Sequence, residues 1–165
     1  MRDIKRKGEL EMINRVDAFL GVHHVGLTVR NFERSMEFYE RLLGKVRDFD
    51  TESDGPELSK AVRVENASLH FGFISLGPVH LEILEYRNSR RDQFELRNCD
   101  VGASHLCFEV NDLRGLMSEL ASEGIDFYSD PIEIHDGPLA GYSFVYFDDP
   151  DGITLELFEH QKSEQ

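Results

Sequence analysis

Two halves of this chain repeat one pattern, and the repeat constrains the fold more than any other feature. Residues 24–32, HVGLTVRNF, align without a gap with residues 105–113, HLCFEVNDL, at an offset of 81 residues. Residues 80–86, HLEILEY, align with residues 154–160, TLELFEH, at an offset of 74 residues. Each half therefore begins with a segment that contains a histidine and ends with a segment that contains a glutamate, which indicates two copies of one structural unit.

A helix is predicted directly after the first segment of each half. Asn31 and Asp112 are suitable N-cap residues, and Gly44 and Gly124 are suitable C-terminal stops. Between these limits apolar residues recur at helical spacing, namely Phe32, Met36, Tyr39 and Leu43 in the first half and Leu113, Leu116, Met117 and Leu120 in the second. Each helix is therefore expected to pack one apolar stripe on a sheet.

Short strands are predicted in the rest of each half. Further strands are expected at 61–64, 68–75 and 142–147, with turns at 76–78 and 148–152. The predicted order is a strand, a helix and then three strands, twice over.

Strand alternation places four chemically active side chains on equivalent faces. In the first strand His24 opposes an apolar set, and His105 does the same in the matching strand. Glu82 and Glu156 likewise oppose apolar neighbours in the closing strands. All four side chains are therefore expected to point away from the helix-packed face.

Other ionisable residues in the same segments are weaker candidates. His23 is expected to point to the opposite face of the first strand, and alternation puts Glu85 and Glu159 on the wrong face of the closing strands. His80 shares a face with Glu82, so it is either a group behind the ligands or a replacement ligand. The alignment of LEI with LEL favours Glu82 as the ligand.

Two imidazoles and two carboxylates form a mixed nitrogen and oxygen donor set. Such a set suits Zn, Ni, Co, Mn or Fe(II) in an open geometry. Four protein ligands leave two adjacent positions on an octahedral ion, and two neighbouring oxygens of one substrate can fill them. The sequence therefore predicts a divalent metal site built by His24, Glu82, His105 and Glu156.

The two cysteines, Cys99 and Cys107, are too few for a disulfide framework and fit a reducing compartment. Cys107 shares a face with His105, but its soft thiolate is unsuited to hard and borderline donors, so a role as a small wall residue is expected. His135 precedes a Gly-Pro pair in a predicted loop, where an exposed side chain is expected.

The 165 residues suffice for one ordinary domain. Residues 1–18 are predicted to be a charged extension and residues 19–161 a single domain. Within that domain we expect module one at 19–87, a connector at 88–100 and module two at 101–161. No apolar run suits a secretory signal or a membrane helix, so a cytoplasmic location is expected.

The charge balance is strongly acidic. There are 18 basic and 32 acidic side chains, which give a net charge of −14, so nucleic acid and anionic membranes are not expected as partners. Arg87, Arg90, Arg91 and Arg97 gather near the connector. A solvated linker is the favoured interpretation, and the alternative is that one or two of these arginines bind a substrate carboxylate or phosphate.

The chain resembles the vicinal oxygen chelate superfamily over about residues 20–160. The most specific segments are HVGLTV at 24–29, followed by SMEFY at 35–39, and DPDGITLEL at 149–157. The superfamily contains glyoxalase I, methylmalonyl-CoA epimerase, extradiol dioxygenases and fosfomycin-resistance proteins. The resemblance implies an α+β fold in which two tandem βαβββ modules form a curved, incompletely closed eight-strand sheet around a metal site. It also implies a homodimer that acts on a small molecule.

The resemblance further implies one divalent ion per site, with Ni, Co or Zn favoured and Mn or Fe(II) as alternatives. Bacterial glyoxalase I has His, Glu, His and Glu in this order, whereas methylmalonyl-CoA epimerases typically place Gln at the position of Glu82. Extradiol dioxygenases and fosfomycin-resistance proteins use two His and one Glu. The leading expectation is a metal-dependent lyase or isomerase of the glyoxalase I type. The alternatives are an epimerase, a ring-cleaving dioxygenase and a non-catalytic protein that binds a drug or metabolite.

Proton transfer next to a carbonyl group is the reaction that such a site favours. A metal that binds two vicinal oxygens stabilises an enolate or enediolate as it forms. The resemblance offers Glu82 and Glu156 as catalytic bases for the two faces of that intermediate. The candidate substrate-binding residues, expected at the cleft or its rim, are His80, Tyr86, Asn98 and Tyr142.

Overall fold

The strands form two four-stranded sheets, one from each half of the chain. The computed structural model describes residues 19–88 and 96–160; the expected extension at 1–18 lies outside this range. The first module contains β1 (His24–Thr28), α1 (Phe32–Leu43), β2 (Phe49–Asp54), α2 (Pro56–Val62), β3 (Ser68–Leu76) and β4 (Val79–Tyr86). The second contains β5 (Leu106–Glu109), α3 (Leu113–Ser122), β6 (Ile132–Glu133), β7 (Tyr142–Asp148) and β8 (Thr154–His160). The predicted α+β class and the two βαβββ units are confirmed, with α2 as an addition in the first module.

The two sheets have the same strand order. They run β1-β4-β3-β2 and β5-β8-β7-β6. In each sheet the first strand of the module lies parallel to the last, and the other neighbours are antiparallel. No ladder joins the sheets within the described residues, so the eight strands divide into two groups of four.

The predicted helix ends are confirmed by capping geometry. The side chain of Asn31 accepts a hydrogen bond from the backbone N–H of Arg34, and Asp112 accepts one from Gly115. These bonds satisfy donors that the first helical turn leaves open. Gly44 ends α1 in the left-handed conformation with φ of 60°, which a residue without a side chain adopts at little cost.

A second glutamate in each closing strand stabilises the helix of its own module. Glu85 Oε2 accepts a hydrogen bond of 2.9 Å from the backbone N–H of Phe32 at the start of α1. Glu159 Oε2 accepts one of 3.3 Å from Leu113 at the start of α3. A carboxylate is favoured there by the open N–H groups and by the helix dipole. The expectation that Glu85 and Glu159 face away from the metal ligands is therefore confirmed. Their role as helix caps also explains why each closing strand has a second glutamate three residues after the predicted ligand.

The predicted strand at 61–64 is wrong. Ala61 and Val62 are the last residues of α2, and the missing strand of the module is β2, Phe49–Asp54. Pro56 is the first residue of α2, where its lack of an N–H has no cost. The β2 strand lies at the edge of its sheet, and its acids alternate with mostly polar residues. It therefore lacks the alternation of apolar and polar residues by which a strand is recognised in a sequence.

The helix-covered faces of both sheets share one core. Phe32, Met36 and Tyr39 of α1 are buried together with Leu81 and Ile83 of β4. The same cluster contains Leu113, Leu120, Val145, Phe147, Leu155 and Leu157 from the second module. The opposite face of each sheet, which carries the candidate ligands, therefore lies on the side turned away from this core.

The turn between β7 and β8 joins the second module to α1 through a hydrogen bond and an ion pair. The hydroxyl of Tyr39 donates a hydrogen bond of 2.9 Å to Asp149, a carboxylate that is only 5% exposed. Asp149 also accepts hydrogen bonds from the backbone of Asp151 and Ile153. Asp151 in turn binds the guanidinium of Arg34 at 2.5 Å. Burial raises the pKa of Asp149 above its usual range.

Candidate metal centre

The first module brings His24 and Glu82 together. Gly26 on β1 is the ladder partner of Glu82 on β4, and His24 lies two residues before it on the same face. His24 Nε2 is 3.4 Å from Glu82 Oε2, and the two side chains are 43% and 17% exposed. A side chain at Gly26 would meet the carboxylate, because an added Cβ lies 3.0 Å from Glu82 Oε2. Glycine therefore leaves the space that the Glu82 carboxylate uses.

The second module repeats this arrangement with His105 and Glu156. Cys107 on β5 is the ladder partner of Glu156 on β8, and His105 directly precedes β5. His105 Nε2 is 3.0 Å from Glu156 Oε2, and the side chains are 44% and 9% exposed. The sequence repeat thus corresponds to a repeated His–Glu pair in three dimensions.

The two pairs do not meet within one chain. Among residues 19–88 and 96–160, no group of three or more His, Cys, Asp or Glu side chains is arranged to hold a metal ion. Both pairs lie on the sheet faces turned away from the shared core, and both histidines are substantially exposed to solvent. Each module therefore presents two of the four predicted ligands on an open surface.

The position of His23 contradicts the sequence prediction. His23 was expected on the face opposite His24, but its Nδ1 atom lies 2.8 Å from Nδ1 of His24. The ring centroid of His23 is also 5.2 Å from that of His80. Strand alternation does not apply to His23, because β1 begins only at His24. The first module thus surrounds its His–Glu pair with two further imidazoles.

Tyr146 is a site residue that the sequence prediction missed. Its ladder partner on β8 is Glu156, and its ring centroid lies 5.3 Å from that of His105 in an edge-on contact. Burial and the neighbouring Glu156 carboxylate raise the pKa of the Tyr146 hydroxyl. Alternation from Tyr142 along the same strand puts Tyr146 on this face, so the signal was present in the sequence.

Cys107 borders the second pair, as expected for a wall residue. Burial, followed by the charge of Glu156, raises the pKa of its thiol to about 12. The side chain therefore stays a neutral thiol near pH 7.

The four predicted substrate-binding residues occupy different places. His80 is the ladder partner of His24, and its Nδ1 lies 3.3 Å from the hydroxyl of Ser75. Tyr86 and Tyr142 lie on the same sheet faces as the His–Glu pairs. Tyr86 is four residues after Glu82 on β4, and Tyr142 is four residues before Tyr146, the ladder partner of Glu156, on β7. Asn98 accepts a hydrogen bond of 3.2 Å from Thr154, two residues before Glu156. Of the four, only His80 is the direct ladder partner of a predicted ligand.

The connector arginines that the structure describes bind acids of the protein. Arg87 binds Glu52 and His70, and Arg97 forms an ion pair with Asp100 at 2.8 Å. Arg90 and Arg91 lie outside the described residues. His135 is exposed in a loop, as predicted.

The geometry of each pair fits a divalent metal ion. Two ligands about 2.1 Å from a metal and at right angles to each other lie about 3 Å apart, which is close to the separations of 3.0 and 3.4 Å found here. In both pairs the imidazole directs Nε2 toward the carboxylate, and the donor set of nitrogen and oxygen suits Zn, Ni or Co. Each module is therefore suited to supply two adjacent ligands.

Comparison with known proteins gives consistent matches. A model of the Glyoxalase/Bleomycin resistance protein/Dioxygenase superfamily matches residues 21–157. The 2-epi-5-epi-valiolone epimerase of Actinomyces sp is 34% identical over 143 residues, which cover 84% of this chain and 78% of that protein. The human mitochondrial methylmalonyl-CoA epimerase is 26% identical over 140 residues, which cover 82% of this chain and 72% of that protein.

Solved structures share the fold at lower identity. A glyoxalase family protein from Bacillus cereus superposes with a TM-score of 0.76 at 16% identity, covering 87% of this chain and 96% of that chain. The trypanothione-dependent glyoxalase I of Leishmania major superposes with a TM-score of 0.56 at 19% identity, covering 85% and 86%. In the described part of the chain, no helix is both long and apolar enough to cross a membrane.

Proposed function

Because the chain belongs to the Glyoxalase/Bleomycin resistance protein/Dioxygenase superfamily, we propose that it is a divalent-metal-dependent epimerase. It moves a proton at the carbon next to a carbonyl group of a small molecule. The observation that carries the proposal is the pair of equivalent carboxylates, Glu82 and Glu156, each 3.0 to 3.4 Å from its own imidazole. Two curated relatives are named as epimerases, which supports this choice over the other reactions of the superfamily.

The complete site is proposed to form between two copies of the chain. Each chain presents His24 and Glu82 on one open face and His105 and Glu156 on another. When the first module of one copy faces the second module of the other, four ligands converge on one ion. A twofold symmetric dimer generates two such sites.

Epimerisation requires an acid or base on each side of the reacting carbon. Inverting that carbon means removing a proton from one side and returning one to the other. Glu82 and Glu156 come from different modules, so they are proposed to act on opposite sides of the planar intermediate. His24 and His105 lie beside these carboxylates, with Nε2 of each imidazole turned toward the carboxylate and toward the place where the ion would be held. When bound, a divalent ion supplies polarisation of the substrate carbonyl, which lowers the barrier to removing the neighbouring proton.

A lyase of the glyoxalase I type is the second candidate. The presence of a carboxylate at Glu82 favours it, because methylmalonyl-CoA epimerases typically have Gln at this position. Both reactions begin by removing a proton next to a carbonyl group, but the epimerase returns a proton to the same carbon and the lyase returns it to the neighbouring carbon. A ring-cleaving dioxygenase and a non-catalytic binding protein are further alternatives that the same experiment separates.

The test compares wild type with Glu82→Gln and with Glu57→Gln as a matched control. Glu57 lies exposed on α2, so the control makes the same charge change away from both His–Glu pairs. We expect about one equivalent of Ni, Co or Zn per wild-type chain, together with exchange of the substrate C–H in D2O. Glu82→Gln should weaken metal binding and abolish inversion of the stereocentre, because Glu156 alone can exchange the proton on one side only, and Glu57→Gln should do neither.

Two other results would contradict the epimerase. Selective retention of Fe(II) or Mn that is indifferent to Glu82, with oxygen consumption on catechols, would favour a dioxygenase. Tight binding of a ligand that a chelator leaves unchanged, with no exchange on any substrate, would favour a binding protein.

A further inference from the structure

A cavity of about 500 Å³ lies between the two modules, on the side of the sheets that carries the helices. Its walls come from the second half of α1, from the last turn of α3 with the loop after it, and from the turn between β7 and β8. The four predicted metal ligands are not among its lining residues. Proteins commonly bind small molecules in cavities of roughly 300–1,000 Å³. The cavity is therefore a second candidate binding site, separate from the His–Glu pairs.

One part of the cavity wall is apolar. Phe38 of α1 and Leu120 of α3 are buried in the core and also line the cavity. Leu42, Ile125 and Phe127 are partly buried and continue the same wall. A hydrocarbon or aromatic group placed against these side chains leaves water, which favours binding.

The other part of the lining is acidic. Within the described part of the chain, Glu123, Asp126, Asp148 and Asp149 contribute carboxylates to the lining, and Arg41 contributes its one guanidinium. Arg41 lies exposed on α1, so solvent and salt screen its charge. The lining therefore has an excess of negative charge, which favours a cation over an anion.

Asp149 is the buried carboxylate of the lining, with only 5% of the residue exposed. Its hydrogen-bond donors are the hydroxyl of Tyr39 and the backbone N–H groups of Asp151 and Ile153, all of which are neutral. Burial outweighs these bonds and raises the pKa of the carboxyl. A buried carboxylate is stabilised when a cation lies close to it. Asp149 is therefore suited to bind a positively charged group of a ligand.

Aromatic rings next to the acids add to this preference. Tyr128 lines the cavity, and its hydroxyl donates a hydrogen bond to Asp148. Phe38 and Phe127 contribute two further rings to the lining. The face of an aromatic ring attracts a cation, and the attraction is stronger where water is excluded.

We infer that this cavity binds a small organic amine whose protonated amino group pairs with Asp149 and whose apolar body lies against Phe38, Leu120 and Phe127. The inference goes beyond the proposed function and does not depend on it. The walls belong to both modules, so the bound amine contacts α1 and the β7–β8 turn together. Such a ligand stabilises the folded chain, because it binds the packed modules and not the unfolded chain.

The test compares ligands of similar size and different charge. The probes are phenethylamine, phenethyl alcohol, hydrocinnamate and the free amino acid phenylalanine, and their binding to the full chain loaded with Zn is measured by calorimetry. We expect phenethylamine to bind with a Kd below about 1 mM. The alcohol should bind at least about tenfold more weakly, because it has no charge to pair with Asp149. Hydrocinnamate and phenylalanine should bind more weakly still, because the acids of the lining repel their carboxylates.

Nuclear magnetic resonance locates the bound amine without any change to the protein. Nuclear Overhauser contacts are expected between the ring of phenethylamine and the side chains of Phe38 and Leu120. Contacts with Phe73 or Tyr146 instead would place the amine at the His–Glu pairs and overturn the inference.

The variants are Asp149→Asn and the matched control Asp130→Asn. Asp130 is exposed on the loop after α3 and lies outside the cavity lining, so the control removes the same charge nearby. Asp149→Asn should weaken phenethylamine about tenfold and leave phenethyl alcohol unchanged, whereas the control should change neither. Asp126→Asn alters only an exposed acid of the lining, and it should weaken the amine about two- to fivefold in a fully folded chain.

Three results would contradict this site. Equal affinities for phenethylamine and phenethyl alcohol would show that Asp149 takes no part in binding. Tighter binding of hydrocinnamate or phenylalanine would show that Arg41 selects an anionic group. Absence of binding by all four probes would show that the cavity is not a site for ligands of this class.

Discussion

At the scale of single residues, the repeat carried most of the predictive power. His24, Glu82, His105 and Glu156 were selected because alternation and internal alignment agreed, and the structure arranges them as two equivalent pairs. That they bind one metal together stays a prediction. His23 was misassigned because alternation holds only inside a strand, and the first strand begins one residue later.

His23 is expected to position His24 for metal binding. One of the two Nδ1 atoms must carry the hydrogen that joins them at 2.8 Å. When His24 binds a metal through Nε2, its Nδ1 carries that hydrogen and donates it to His23. Ligand histidines usually have such a partner, and removing it typically weakens metal affinity about 10- to 100-fold. His23→Ala should therefore raise the Kd for Zn, measured by competition with a chelator, and leave the melting temperature unchanged.

The control for this change is His135→Ala. His135 is an exposed loop residue, so its removal tests whether any lost histidine weakens metal binding. An unchanged Kd in His23→Ala, or an equal loss in both variants, would show that His23 does not position the ligand.

At the scale of elements, the helices were predictable and one strand was not. N-cap residues, terminal glycines and apolar stripes all indicated α1 and α3, and each signal has a local physical cause. The β2 strand lies at a sheet edge, where pairing with β3 rather than apolar alternation defines it. Such a strand is defined by its partner, which a local pattern cannot reveal.

The glutamates that cap the two helices should matter for stability and not for chemistry. Glu85→Gln and Glu159→Gln each weaken a carboxylate hydrogen bond to the first turn of a helix. We expect each change to lower the free energy of unfolding by about 0.5–1 kcal/mol, measured by urea denaturation. Metal affinity should stay at the wild-type value in both. A loss of metal binding at unchanged stability would contradict the assignment of these residues as caps.

The buried carboxyl of Asp149 predicts a pH dependence with an unusual sign. Its pKa is raised in the folded state, chiefly by burial, so the folded protein holds this proton more tightly than the unfolded chain does. As pH rises above the unfolded pKa of about 3.9, stability is lost until the folded pKa is passed. Asp149→Asn does not ionise, so the difference in free energy of unfolding, wild type minus variant, should fall over this range. A difference that grows with pH would show that the carboxyl is stabilised as the anion.

At the scale of the whole molecule, the sequence predicted two modules but not how they pack against each other. The duplicated pattern indicates two equal units, and both units share one core through their helix-covered sides. Whether a repeat closes its sites within a chain depends on how the modules pack. That packing rests on contacts such as Tyr39 with Asp149, which are distant in sequence and absent from the repeat.

A complementation experiment tests the proposed site between two copies of the chain. Glu82→Gln and Glu156→Gln are each expected to be inactive alone. In a mixed dimer, one site combines the intact Glu82 of one chain with the intact Glu156 of the other, while the second site carries both changes. Random mixing of equal amounts makes half of the dimers mixed, so about a quarter of wild-type activity should return. If each site belonged to a single chain, every site would keep one altered residue, and mixing would restore no activity.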